Sequence, residues 1–218
     1  MLAAAAAIGV LITAQMHGKH GKHGNPEDLD SYVARMEDPS RAEWQKPDQV
    51  LRALALGAGQ VVCDVGAGPG YFTLPVARAV GETGRVYAAD VEPRMLVALR
   101  KRVREAGLRN VTPVLSLDDD SLLPPAACDL ILVVDTYHHF PGGPAYLRRL
   151  ARSLRPGGRI VNIDFHKREL PVGPPSAHKL TREEFLSQAE AAGLLLAEEH
   201  TFLPYQYFLV LKPRPQGG

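Results

Sequence analysis

Val61-Val62-Cys63-Asp64-Val65-Gly66-Ala67-Gly68-Pro69-Gly70-Tyr71-Phe72 is the stretch from which the rest of this chain can be read. A β-branched run ends in three closely spaced glycines, and Phe72, Leu74, Pro75, Val76 and Ala79 then open a helix. Glycines between a strand and a helix let the backbone turn sharply and approach a ligand, while the helix start offers unpaired N–H groups. The spacing is G-x-G-x-G, one residue short of the dinucleotide fingerprint G-x-G-x-x-G. Asp64, two residues before the first glycine, would repel a pyrophosphate but attract an ammonium group. Farther on, Asp90 ends the next apolar run, where a carboxylate can accept from both hydroxyls of a ribose, and Val91 can lie against a purine. An adenosine carrying a cationic tail fits this pattern better than NAD.

The strand and helix signals recur along the chain. Val86–Ala89 reads as a strand with a helix over Arg94–Ala106, then Val111–Leu115 as a strand. Leu130–Val134 precedes a helix over Ala145–Leu154, and Arg159–Asp164 is the fifth strand. Such alternation predicts an α/β, doubly wound, mostly parallel sheet with helices on both faces. A helix over Thr181–Ala192, stopped by Gly193, leads into strands Leu194–Phe202 and Tyr205–Leu211 around Pro204, a pair that must be antiparallel. Upstream, Asn25-Pro26-Glu27, Asp38-Pro39 and Pro47-Asp48 each look like a helix start. The expected organisation is a leader over 1–24, N-terminal helices over 25–58 that cover the pocket, and a core over 59–218.

With 218 residues, 45% of them hydrophobic, the chain can bury one good core. A net charge of +1 with dispersed Lys and Arg disfavours nucleic acid as a partner. Met1–Ala14 is apolar apart from Thr13 but short of the roughly 20 residues of a membrane span, and no Lys or Arg precedes it. It reads as a signal or loose anchor, or as an early start with Met16 the true beginning; no firm membrane insertion is expected, and a cytoplasmic location, membrane-associated through this segment at most. His17, His20 and His23 alternate with Gly18, Gly21 and Gly24, which leaves the imidazoles no fixed geometry and argues for a flexible leader. Cys63 and Cys128 lie in or beside apolar runs and are expected as buried free thiols, consistent with a reducing compartment.

Taken together, Asp64 to Gly70, Asp90, Val134-Asp135-Thr136-Tyr137-His138-His139-Phe140 and Leu154-Arg155-Pro156-Gly157-Gly158-Arg159 resemble the core of class I S-adenosylmethionine (SAM) dependent methyltransferases. The resemblance covers Val61 to Asp164, about half the chain. It implies a Rossmann-like seven-stranded sheet whose last strand is antiparallel, SAM as cofactor, and a small-molecule acceptor. It implies cofactor contacts from Asp64, Gly66, Ala67, Gly68, Gly70, Asp90, Val91 and Asp135. The acidic residue that usually receives the adenine amino group has no clean match: Leu117 falls there, Asp118 substitutes by a one-residue shift, and Asp118–Asp120 also reads as a solvated turn. Trp44-Gln45-Lys46, His166 to His178 and a Pro/Gly-rich lid over Leu170–Ser176 fall where acceptor specificity usually resides.

Methyl transfer from a sulfonium needs alignment and dryness, and a protein base only when the acceptor must lose a proton. His138 and Tyr137 are the candidate catalytic groups, His138 the better base; a structural role capping the loop is the competing reading. Asp135 and Asp164 end neighbouring strands, but Phe165 follows where a further oxygen ligand would be needed, so no metal is expected. Methylation of arsenic would need several exposed thiols, which two buried cysteines do not supply. An oxidoreductase and a SAM-binding protein without turnover are the alternatives.

Overall fold

The computed structural model describes residues 28–215. The chain enters through three short helices. α1 (Leu29–Met36) is capped by Asp28, whose carboxylate accepts from Ser31 N at 3.0 Å; the start expected at Asn25–Glu27 lies outside the described residues. After an Asp38 turn that accepts from Ser40 N, α2 (Arg41–Gln45) and α3 (Pro47–Leu54) follow, with Lys46 between them in the left-handed region. Proline at the first position of α3 costs no hydrogen bond there.

The core then alternates as its periodicity predicts: β1 (Val61–Val65), α4 (Thr73–Val80), β2 (Arg85–Asp90), α5 (Pro93–Glu105), β3 (Val111–Leu115), β4 (Cys128–Val134), α6 (Gly143–Ser153) and β5 (Leu154–Phe165). α7 (Arg182–Ala191), β6 (Leu194–His200) and β7 (Gln206–Pro213) complete it. Thr181 caps α7 in a reciprocal box with Glu184. The seven strands lie in the order β3-β2-β1-β4-β5-β7-β6, and only β7 runs against its neighbours. The order reverses between β1 and β4, so the crevice beyond their carboxyl ends is where this architecture seats ligands.

Parity along the strands builds two apolar layers. Val62, Leu130, Leu132, Val161, Ile163, Phe208 and Val210 face α3 and α4, whose Val50, Leu54, Val76 and Val80 are fully buried. Cys63, Ile131, Val133, Ile160, Leu209 and Leu211 face α6 and α7 through Tyr146, Leu147, Leu150 and Phe185. Burial on both faces explains why the inner strands read as continuous apolar runs.

The cysteines depart from expectation. Cys63 on β1 and Cys128 on β4 form a disulfide, with Cα atoms 6.1 Å apart and both residues fully buried. The expectation of free thiols is overturned. β1 and β4 are not consecutive in sequence, so the pairing depends on β4 lying beside β1. Among the described residues no helix is long and apolar enough to cross a membrane.

A bridge closing a 65-residue loop restricts the unfolded chain by about 4 kcal/mol. Replacing both cysteines by alanine should lower the urea-derived unfolding free energy by a large part of that amount; an unchanged midpoint would show that the bridge carries no stability.

Candidate functional site

The glycine loop is shaped by what presses on it. Gly66 has φ +74° and no room for a Cβ, which would overlap the Thr136 side chain arriving from the end of β4. Gly68, with φ +53°, lies under Met36 of α1: a Cβ there would sit 2.9 Å from the methionine methyl. Arg102 of α5 donates to Pro69 O at 2.9 Å and pairs with Glu37 at 3.1 Å, fastening the end of α1 to the loop.

Three carboxylates surround this loop. Asp64 is buried, accepts from Thr73 Oγ1 at 2.5 Å, and is pushed up to about 6 by burial, with the Asp90 charge adding to the rise and Thr73 and Arg41 opposing it. Asp90 is raised as well, first by burial, although Gly68 N (2.7 Å) and Glu92 N (2.9 Å) donate to its two oxygens. Asp135 stands just past β4 with φ +52°, a conformation that Asp tolerates better than most residues. Burial and the Asp164 charge raise it to about 6 against the pull of Arg41, Gln45 and Gln206. Its partners come from far apart: Arg41 Nη2 at 3.4 Å and Gln45 Nε2 at 3.1 Å from α2, Gln206 Nε2 at 2.5 Å from β7. Arg41 also stacks over Tyr71, 4.2 Å from the ring centroid. One buried and two half-buried acids with one guanidinium among them make a region that favours a cation.

The left-handed turn at Asp135 sends the chain back across the sheet edge into a 3-10 turn, Tyr137–His139. His138 thereby returns to β5, its Nδ1 lying 2.9 and 3.0 Å from the two oxygens of Asp164. Both side chains are 2% exposed. Burial alone would lower the imidazole, but the hydrogen bond and charge of Asp164 outweigh it, leaving His138 above its ordinary value.

Beside this pair is an aromatic wall. Phe165 packs against Trp44 (centroids 5.6 Å apart), and Trp44 against Tyr205 (6.5 Å). The Leu170–Ser176 segment closes on the same ring, for a Cβ on Gly173 would come within 2.7 Å of it.

Other sequence expectations fare differently. Tyr137 does not join His138: it is buried between Phe140 and Phe185, its hydroxyl donating to Gln188 Oε1 at 2.7 Å, because adjacent residues of the tight turn point to opposite sides. Leu117 and Asp118 sit in an exposed turn closed by Leu117 N on Asp120 O, with Leu117 51% exposed; Val91, 42% exposed, lies at the rim. Lys46 donates to Phe202 O rather than entering the site, and Lys167 pairs with Glu184. Arg41 and Gln206 are not singled out by the sequence, and Gln45 only as part of the Trp44–Lys46 stretch; a lone Arg or Gln in a helix or strand carries no spacing signal that separates a buried clamp from a solvated face.

A family model described as a methyltransferase domain matches residues 62–158. A SAM-dependent methyltransferase from Aquifex aeolicus superposes with a TM-score of 0.79 at 30% identity, covering 83% of this chain and 96% of that one. The ubiquinone/menaquinone biosynthesis C-methyltransferase UbiE of Vibrio vulnificus is 34% identical over 118 residues, and that of Escherichia coli O1:K1 32% over 110. These alignments cover 54% and 50% of this chain and 44% of each relative, so the chain spans under half the length of the curated relatives it matches. This chain belongs to the class I SAM-dependent methyltransferases, whose cofactor is SAM.

Two outcomes are expected. Gly66→Ala combines a strained φ with a Thr136 clash and should cost roughly 1 to 3 kcal/mol of stability as well as most of the affinity for S-adenosylhomocysteine, measured by melting and calorimetry. Separately, Asp64 and Asp135 hold protons up to about pH 6 in the folded protein, so their stabilising contribution is full below the ordinary 3.8 and lost as pH rises through 6. A bound cation lowers both, so SAM binding at pH 6 should release a fraction of a proton, seen as a calorimetric enthalpy that varies with the buffer. A buffer-independent enthalpy at that pH contradicts the assignment.

Proposed function

We propose that this chain transfers the methyl group of SAM to a small planar acceptor that must lose a hydroxyl proton before it attacks, with His138 as the base that takes that proton. The observation that carries the reading is the buried His138–Asp164 pair. With Asp164 accepting from Nδ1–H, and from Phe165 N at 2.8 Å, the imidazole is fixed in the tautomer whose Nε2 can accept a proton. Bound SAM supplies an electrophilic methyl on a sulfonium. Asp64, Asp90, Asp135 and the loop from Gly66 to Gly70 hold the cofactor, while Val91, Leu117 and Asp118 offer a rim for its adenine. Thr136, packed on Gly66, sets the distance between the cofactor loop and the acceptor side. Trp44, Phe165 and Tyr205 offer flat surfaces and exclude water. Tyr137 supports this arrangement from behind, through Gln188.

The likeness to UbiE supports a quinol as acceptor and a ring carbon as the methylated atom. Ring carbons of quinols become nucleophilic when a hydroxyl ionises, which is where a base contributes. The two cysteines are joined and no other exists in the chain, which speaks against a thiol-dependent acceptor such as arsenic.

The test is transfer of labelled methyl from SAM to reduced quinones lacking the ring methyl, and to a cell extract. His138→Ala should lower kcat by about 100-fold or more while leaving affinity for S-adenosylhomocysteine intact. Because His138 is raised by Asp164, wild-type kcat should climb with pH through a value above 6.5, and Asp164→Asn should move that limb to lower pH. Undiminished turnover by His138→Ala would remove the base from the reading.

A further inference from the structure

Lys179 is 3% exposed, yet no carboxylate pairs with it among the described residues. Its Nζ donates to one carbonyl, Arg168 O, at 2.9 Å and stands 5.7 Å from the centroid of Phe165. An ammonium has three donors and is strongly hydrated, so one carbonyl and one ring face leave it under-compensated. The nearby acid does not repair this, because Asp164 already serves His138 Nδ1 and Phe165 N. Lys179 is close enough to His138 for its charge to oppose protonation of the imidazole. It follows the 3-10 turn Ser176–His178, at the end of the segment whose Gly173 closes on Phe165. The charged groups that act on His138 besides Lys179 are Asp164 and Asp135.

We propose that Lys179 binds an oxyanion of the methyl acceptor, so that the site selects planar acceptors carrying an ionisable hydroxyl or a carboxylate. The inference rests on the methyl-transfer reading and adds the acceptor's charge to it. His138 takes the hydroxyl proton, and Lys179 holds the oxygen that has lost it. Phe165, which carries both the ammonium and Trp44 on its ring, sets the acceptor plane. Lys179 lies three residues past the Leu170–Ser176 segment, so the ammonium and the glycine that packs on Phe165 border the same ring.

The probe is 4-nitrophenol, whose ionised form absorbs in the visible, titrated with pH in the presence of the full chain saturated with S-adenosylhomocysteine. Selective binding of the phenolate by about tenfold should lower the probe's apparent pKa by about one unit. Lys179→Met should abolish that drop and leave S-adenosylhomocysteine affinity within about twofold, and Lys179→Arg should keep part of the drop. Nitrobenzene, which cannot ionise, should bind both forms alike. The proposal is overturned if wild type leaves the probe unbound or its titration unshifted, or if Lys179→Met keeps the shift. It is also overturned if Lys179→Met weakens S-adenosylhomocysteine as much as the phenolate, which would assign the lysine to the cofactor's carboxylate. Should Lys179→Met fail to fold, the wild-type titration and Lys179→Arg decide. A wild-type protein that ignores S-adenosylhomocysteine sinks the methyl-transfer reading itself, an outcome visible before any probe is added.

Discussion

Asp135 is the residue on which the site's assembly turns. Its carboxylate is reached by Arg41 and Gln45 from the N-terminal helices and by Gln206 from the antiparallel strand, while its backbone N donates to Ile163 O at 2.9 Å and continues the β4–β5 ladder. Three separate segments of the chain thus meet on one half-buried carboxylate. The left-handed backbone at the same position redirects the chain so that Thr136 presses on Gly66 and His138 reaches Asp164. A strained conformation of this kind costs on the order of 1 to 3 kcal/mol, and here it is held by three side-chain donors.

The electrostatics follow from that geometry. Asp64, Asp90 and Asp135 are all raised by desolvation, and Arg41 is the cation that partly compensates two of them. A guanidinium that also lies over Tyr71 and accompanies Gln45 belongs to a helix added to the fold, not to the sheet. The N-terminal helices therefore supply counter-charge to acids that would otherwise face one another.

The sheet and the glycine loop were legible because their signals are local: strand runs and a G-x-G-x-G turn each decide the course of a few adjacent residues. Asp64 and Asp90 could be placed for the same reason, being fixed relative to the ends of β1 and β2. The His138–Asp164 pair was half visible, since each residue could be assigned to a strand end, but the contact depends on how far the turn after β4 doubles back. Tyr137 shows the cost of that ignorance, for one step along a tight turn separates the site from the core. The cysteine pairing was invisible because strand order, not spacing, brings β1 and β4 together. Lys179 lies in a segment without periodicity, where no sequence rule predicts which lysine loses its water.

The covalent tie between Cys63 and Cys128 joins the two strands whose ends border the crevice. The bridge holds β1 and β4 together from the first residue of β4, Cys128, while the crevice opens beyond its last, Val134. Accommodation of differently shaped guests falls to the roof, the helices carrying Met36 and Arg41 and the segment carrying Gly173 and Lys179. Divergence among kindred enzymes with such a stitch would accumulate in that roof, while the stitched strands stayed constant.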